Sequence, residues 1–176
     1  MKPNLKIVFI VLFLKIAFIV LLALTISGCS DDDQTQQTPP QDLVNTLYPE
    51  AEQEIMAIFT QIRQNLIDGD MDGLIDFHAY SPKFTEFKNG ELRNGSVANE
   101  AYEREVFGAV TEVVKFETND LKVSVYGDVA NATFHSDFHL KFGENLAIVR
   151  EQTSLLFVKT ANGWKIVNEH HSPLNE

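Results

Sequence analysis

Apolar residues recur at two different intervals along this chain, and the change of interval divides it into a helical part and a stranded part. Ile55, Ile58, Phe59, Ile62 and Leu66 fall on one stripe, with Glu52, Gln53, Gln61 and Gln64 off it. That spacing predicts an amphipathic helix. Asp68-Gly69-Asp70 stops it, and a short second helix follows through Leu74, Ile75 and Phe77. Ser81-Pro82 ends that one, because the residue before Pro avoids helical backbone. Phe84 to Phe87 reads as a short strand turning at Asn89-Gly90, and a third helix runs through Tyr102, Val106, Ala109, Val110 and Val113.

Beyond this point the period falls to two. Leu121, Val123 and Val125 share a face, and Gly127-Asp128 makes a turn. The next strand puts Ala130, Ala132, Phe134, Phe138 and Leu140 on one side and Asn131, Thr133, His135, Asp137 and His139 on the other. Ala147 to Lys159 is a long strand, Asn162-Gly163 a hairpin turn, and Trp164 to Ser172 the last strand. Strict alternation there places Trp164, Ile166, Asn168, His170 and Ser172 on one face. Helices first and an antiparallel meander after them predict an α+β domain with the helices on one face of the sheet.

The N-terminal pattern is of another kind. Lys2 and Lys6 precede a run from Ile7 to Ile26 that is aliphatic or Phe except for Lys15 and Thr25, and no acid occurs before Asp31. This is the layout of an export signal, although a helix of about 20 apolar residues could also span a bilayer. The end of the run decides between them. Leu24-Thr25-Ile26-Ser27-Gly28-Cys29 resembles the bacterial lipobox, in which small residues admit the peptidase and the thiol takes the lipid. Cys29 is the single cysteine, so it has no disulfide partner, and lipidation removes a lone thiol from an oxidising compartment. Three segments are expected: a signal over 1–28, a lipidated Cys29 with a polar tether over 29–41, and one domain over 42–176. The tether reads SDDDQTQQTPPQ after the Cys, without an apolar residue. By the same resemblance, Ser30 favours the outer membrane, where Asp would favour retention in the inner one, and the domain faces the periplasm.

Cleavage changes the charge. Of 14 basic side chains, Lys2, Lys6 and Lys15 leave with the signal, so 11 remain against 25 acids, a formal −14. Nucleic acid and anionic membrane surfaces repel so acidic a domain. Phosphate loops, nucleophile elbows and cysteine-based metal spacings are missing from the sequence.

The ending Gly163-Trp164-Lys165-Ile166-Val167-Asn168-Glu169-His170-His171-Ser172, with Thr153-Ser154-Leu155-Leu156-Phe157 before it, resembles the SnoaL-like branch of the nuclear transport factor 2 superfamily. It also resembles the association domain of calcium/calmodulin-dependent kinase II, which shares that fold. The resemblance covers Asp42 to the end and implies a cone: a curved, mostly antiparallel sheet with the N-terminal helices packed in its concavity. Relatives commonly carry His where this chain has Asn168, so a role resting on that imidazole does not carry over. Within the fold, relatives include isomerases, cyclases and dehydratases as well as binding and oligomerising domains, so fold does not give function.

Chemistry in such a cavity needs a poised carboxylate or imidazole, with a hydrogen-bond donor opposite. Asp76, His78, Tyr102, Arg150 and His170 are the candidate cavity residues; no catalytic assignment follows for any of them. Asp68, Asp70 and Asp72 with Gly73 match the start of a calcium-binding EF-hand loop, but the bidentate Glu at its twelfth position is Ala79. Helix caps are the expected role of these Asp residues. No metal site is expected either: His170 and His171 point to opposite faces, and His135 and His139 stand roughly 13 Å apart along a strand. The sequence predicts no cofactor. Its expected partners are the membrane through Cys29, a small molecule, and a second copy of the chain, since the open sheet face of such folds is often covered by a twin. Three functions stay open: binding of a small, largely apolar ligand or a protein partner, an isomerase, cyclase or dehydratase activity, and oligomerisation alone. The lipid anchor is the most direct to test: Cys29→Ser should leave an unprocessed precursor and abolish labelling with radioactive palmitate, and undiminished labelling would remove the anchor from Cys29.

Overall fold

The computed structural model describes residues 40–175. The predicted signal segment, Cys29 and nearly all of the tether lie outside the described residues. Helix α1 (Pro49–Asp68) begins with Pro at its first turn, where the missing N–H costs nothing. It ends in the left-handed Gly69 (φ 68°), whose position lets the Asp70 N–H return to the Asn65 carbonyl at 2.9 Å. Helix α2 (Met71–Ile75) follows at once, capped by Asp70, whose carboxylate accepts the Gly73 N–H at 2.9 Å. The Asp-rich loop that resembles an EF-hand is thus the joint between two helices.

Strand β1 (Thr85–Lys88), helix α3 (Ser96–Gly108) and four long strands complete the domain: β2 (Glu112–Tyr126), β3 (Val129–Phe142), β4 (Asn145–Thr160) and β5 (Gly163–Pro173). The sheet order is β1-β5-β4-β3-β2, with β1 parallel to β5 and every other pair antiparallel. Strand β2 carries one extra residue between Val113 and Lys115 and another between Asn119 and Lys122, where Asp120 takes a positive φ of 53°. Bulges of this kind sharpen the local twist and bend the strand. The sheet is curved, and its inward face receives α1.

The helical stripe read from the sequence is the face that α1 buries. Ile55, Ile58, Phe59 and Leu66 are buried, and Phe59 meets Phe134 edge-on at 5.3 Å and Phe157 at 6.4 Å. Ala130, Ala132 and Phe134 enter the same core, as the alternation of β3 requires. The third helix is shorter than its apolar periodicity suggests. It ends at Gly108, and Val113 lies in β2 opposite Leu140. Thr111-Glu112-Val113-Val114 is rich in β-branched side chains, which suit a pleated surface better than a helix. Phe77 likewise lies past α2: its carbonyl accepts the Ile166 N–H at 2.8 Å, and the Ala79 N–H in turn reaches the Ile166 carbonyl at 2.8 Å.

Trp164 fixes the other end of the core. Its ring is buried, its Nε1 donates to Glu54 Oε2 at 2.8 Å, and Lys159 lies over it at 5.3 Å. Trp164→Ala should therefore cost about 3–5 kcal/mol, the usual penalty for emptying a large aromatic site. Urea denaturation measures it, and a loss below about 1 kcal/mol would contradict this packing.

Candidate functional site

A cavity of about 270 Å³ lies between α1, α3 and the inward face of the sheet. Its walls are mostly apolar: Phe59 and Ile62 from α1, Phe107 from α3, Phe134 and Phe138 from β3, and Leu155 from β4. Its polar lining includes His78, Glu86, Glu103, Glu151, Glu169 and His171.

One irregularity in β5 puts two of these groups there. Ile166 pairs with Phe157, but Asn168 pairs with Leu156, so Val167 is an extra residue. A one-residue slip moves every later side chain to the opposite face. Trp164 and Ile166 face the core before the bulge; Glu169 and His171 face the cavity after it. Asn168 sits at the switch, with its Nδ2 donating to the Thr85 carbonyl at 2.9 Å and Thr85 Oγ1 at 2.8 Å. That contact ties β1 to β5 in a register that pairs Glu86 with Glu169 and Lys88 with His171. Alternation along β1 then turns Glu86 and Lys88 inward.

His78 approaches from the segment after α2, which the two Ile166 backbone bonds hold against β5. Its Nε2 stands 2.8 Å from Glu169 Oε1, and both side chains are nearly inaccessible. His171 stands on the other side of the same carboxylate, with Nε2 3.5 Å from Glu169 Oε2 and Nδ1 3.3 Å from Glu151 Oε2. Asn89 donates to Glu151 Oε1 at 2.9 Å, and Asn94 to Glu86 Oε2 at 2.9 Å. Tyr80 stacks on His78 with ring centres 5.0 Å apart and donates its hydroxyl to Asn99 at 2.5 Å. From α3 come Tyr102, which accepts from Lys88 Nζ at 2.7 Å, and Glu103. Among the described residues, three buried side-chain polar atoms have no hydrogen-bond partner: His78 Nδ1, Asn99 Nδ2 and Glu103 Oε2. Such groups are costly in an apolar surround.

The charges are correspondingly perturbed. Burial works against a charged His78, yet the hydrogen bond and charge of Glu169 outweigh it and raise its pKa to about 9. His171 reaches about 9 in the same way, with burial opposed by Glu151 and Glu169. Burial would raise Glu169 too, but its bonds to His171 and His78 hold it below the ordinary carboxylate value. Glu103 goes the other way: burial and the neighbouring Glu169 push it up to about 7.

Of the five cavity residues proposed from sequence, the structure brings His78 and Tyr102 to the cavity. Asp76 is exposed and accepts from Lys165 Nζ at 2.9 Å. Arg150 is exposed and stands 3.4 Å from Asp137. His170 is exposed on the side of the sheet away from the cavity, because the bulge reverses the alternation before reaching it. Glu86, Glu103, Glu151, Glu169 and His171 were missed. Glu86 had a legible signal, two residues from Phe84 on the short strand; Glu169 and His171 had none.

These shifts fix a pH profile of stability. An imidazole raised above its ordinary 6.5 stabilises the fold fully below that pH and loses the contribution as pH rises through about 9. Glu103, raised from 4.5 to about 7, adds to the same loss over that lower interval. Glu151 and Glu169, lowered from 4.5, stabilise above that pH and lose their contribution as pH falls. The urea midpoint should peak between about pH 4.5 and 6.5 and decline steadily toward pH 9. A midpoint unchanged across that decline would contradict the buried network.

No curated protein matches this chain. Solved structures do. A protein from Streptomyces avermitilis named as a dehydratase of the nuclear transport factor 2-like family aligns with 73% of this chain and 100% of its own, at 19% identity and a TM-score of 0.63. A nuclear transport factor 2-like protein of unknown function from Pseudomonas putida aligns over 74% and 92%, at 23% identity and a TM-score of 0.59. A protein from Novosphingobium aromaticivorans named as an aromatic ring hydroxylase aligns over 74% and 94%, at 14% identity and a TM-score of 0.62. At these identities the likeness is one of fold. Residues 55–176, most of the chain, match the SnoaL-like domain family; with the curved sheet, its helices and the meander in place, this chain belongs to that family.

Proposed function

We propose that this chain is a membrane-tethered binding protein whose cavity takes up a small, largely apolar molecule bearing one polar group. The observation that carries the reading is the cavity itself: about 270 Å³ walled by Phe, Ile and Leu, with orphaned polar atoms of His78 and Glu103 on its lining side chains. An apolar wall with a few convergent polar groups is the usual form of a small-molecule site. Cys29 supplies the tether, in the outer membrane and facing the periplasm. A second copy covers the outward sheet face, where Val129, Leu146 and Ile148 are exposed.

A second reading, proton-transfer catalysis of the isomerase or dehydratase type, has one observation in its favour. The carboxyl of Glu103 and the ring of His78 converge on one side of the cavity, and each keeps an atom without a protein partner. The dehydratase name of one structural neighbour agrees with this reading but adds no residue to it.

Native mass spectrometry of the protein purified from its own host separates these readings. Binding predicts a dimer mass with a retained small molecule, and Thr118→Trp, which fills the cavity from a half-exposed strand position, should abolish the retained mass. Retention undiminished in that variant would place the ligand elsewhere. A retained molecule that gains deuterium in heavy water would favour catalysis over binding alone.

A further inference from the structure

We propose that the polar side of the cavity is a binding site for a divalent first-row transition-metal ion, held by His78, Glu103 and Glu169. The proposal goes beyond the ligand-binding reading and does not depend on it. These residues come from the segment after α2, from α3 and from β5, and one donor atom of each lies within 4.8 Å of the others. An ion about 2.0–2.2 Å from each ligand holds its donors at most about 4.4 Å apart. Rotamer adjustments of a few tenths of an ångström close the set.

Two independent observations point to an ion there. First, Glu103 Oε2 and His78 Nδ1 are buried and have no hydrogen-bond partner, and Glu103 is only 8% exposed. A buried carboxylate with an unpaired oxygen is costly, and coordination is one of the few arrangements that satisfies it. Second, the surroundings are those of metal ligands. Glu169 presents Oε1 to His78 and Oε2 to His171, and Glu86, Glu169 and His171 form a second set within the same 4.8 Å limit. In that set the other ring nitrogen of His171 faces Glu151, and Asn94 donates to Glu86. Carboxylates and amides that orient ligands from behind are the usual outer layer of a metal site.

Charge agrees with geometry. Coordination requires a neutral His78 imidazole, and the four cavity carboxylates, Glu86, Glu103, Glu151 and Glu169, then stand against two cations, the Lys88 ammonium and the His171 imidazolium. A divalent cation offsets that excess. Imidazole with carboxylate oxygen, and no thiolate, suits zinc, manganese or ferrous iron rather than a soft monovalent ion or calcium. The sequence could not show this set, because His78, Glu103 and Glu169 are widely separated along the chain and share no short motif.

The test uses the full chain, untagged, in detergent and stripped with chelator, with Zn²⁺ and Co²⁺ alone as probes. One equivalent of Zn²⁺ should bind and raise the melting temperature, and Co²⁺ should give visible absorption bands of a nitrogen- and oxygen-ligated ion. Glu103→Gln keeps the shape and removes a buried, unpaired charge. It should melt higher than wild type without metal, yet bind Zn²⁺ about 100-fold more weakly and lose the metal-induced rise. Glu112→Gln, at an exposed position on β2, should behave as wild type. A Glu103→Gln protein that binds Zn²⁺ as wild type does would overturn the proposal, and so would a wild-type protein that gives neither a stoichiometric Zn²⁺ isotherm nor a Co²⁺ spectrum. Because the probe is the bare ion, loss of the organic ligand reading leaves this result unaffected.

Discussion

At Val167 the last strand holds one residue more than its partner, and the composition of the cavity depends on that single surplus. Without the slip, Trp164, Ile166, Asn168, His170 and Ser172 would share the inward face, and a core strand would simply continue. With it, the strand presents Trp164 and Ile166 to the core, then Glu169 and His171 to the cavity. One strand thus serves two environments, an apolar end that fixes the helices and a charged end that faces the lumen. Backbone geometry makes the division, and no side chain of unusual kind is needed for it.

The charged end stays folded because its parts are shared among elements. Glu169 lies between imidazoles that arrive from different places, His78 on the segment bonded to Ile166 and His171 on its own strand. Asn168 ties β1 to β5 through Thr85, and that register sets Glu86 and Lys88 beside the pair. Removing one member of such a network strands the others as unpaired buried groups, so the residues stand or fall together. Surface pairs such as Arg104–Asp72, at 2.8 Å but largely solvated, add little by comparison.

Much of the fold was legible because the relevant signals are local. The stripe of Ile55, Ile58, Phe59 and Leu66 and the alternation of Ala130, Ala132 and Phe134 are read directly as buried faces. The third helix misled at its end, where apolar spacing ran on through Val113 while β-branched residues had already begun a strand. The site was legible only in part, through His78 and Tyr102. Alternation carried from Trp164 points to His170 rather than His171, because the bulge between them leaves no mark in composition. Glu103 and Glu151 are illegible for another reason: acids are seldom fully buried, so an acid in a charged sequence reads as surface.

That rarity gives the buried acids their meaning. A chain of formal charge −11 has ample surface for carboxylates, so placing four of them in a lumen otherwise walled by Phe and Leu is a cost borne within the fold. Glu86, Glu151 and Glu169 recover part of it through Asn94, Asn89 and the two histidines. Glu103 recovers least, since one oxygen has no partner and its nearest strong influence is the like charge of Glu169. Packing alone would favour Leu or Met at that position, where an apolar side chain of similar size would leave nothing unsatisfied. The residue destabilises the empty domain, and the stabilisation it forgoes becomes available to whatever enters the cavity and completes its coordination, be it a proton donor or a cation. Affinity for that occupant is therefore set by a group the fold itself leaves incomplete, and the side chains that serve the core are separate from the one that serves the site.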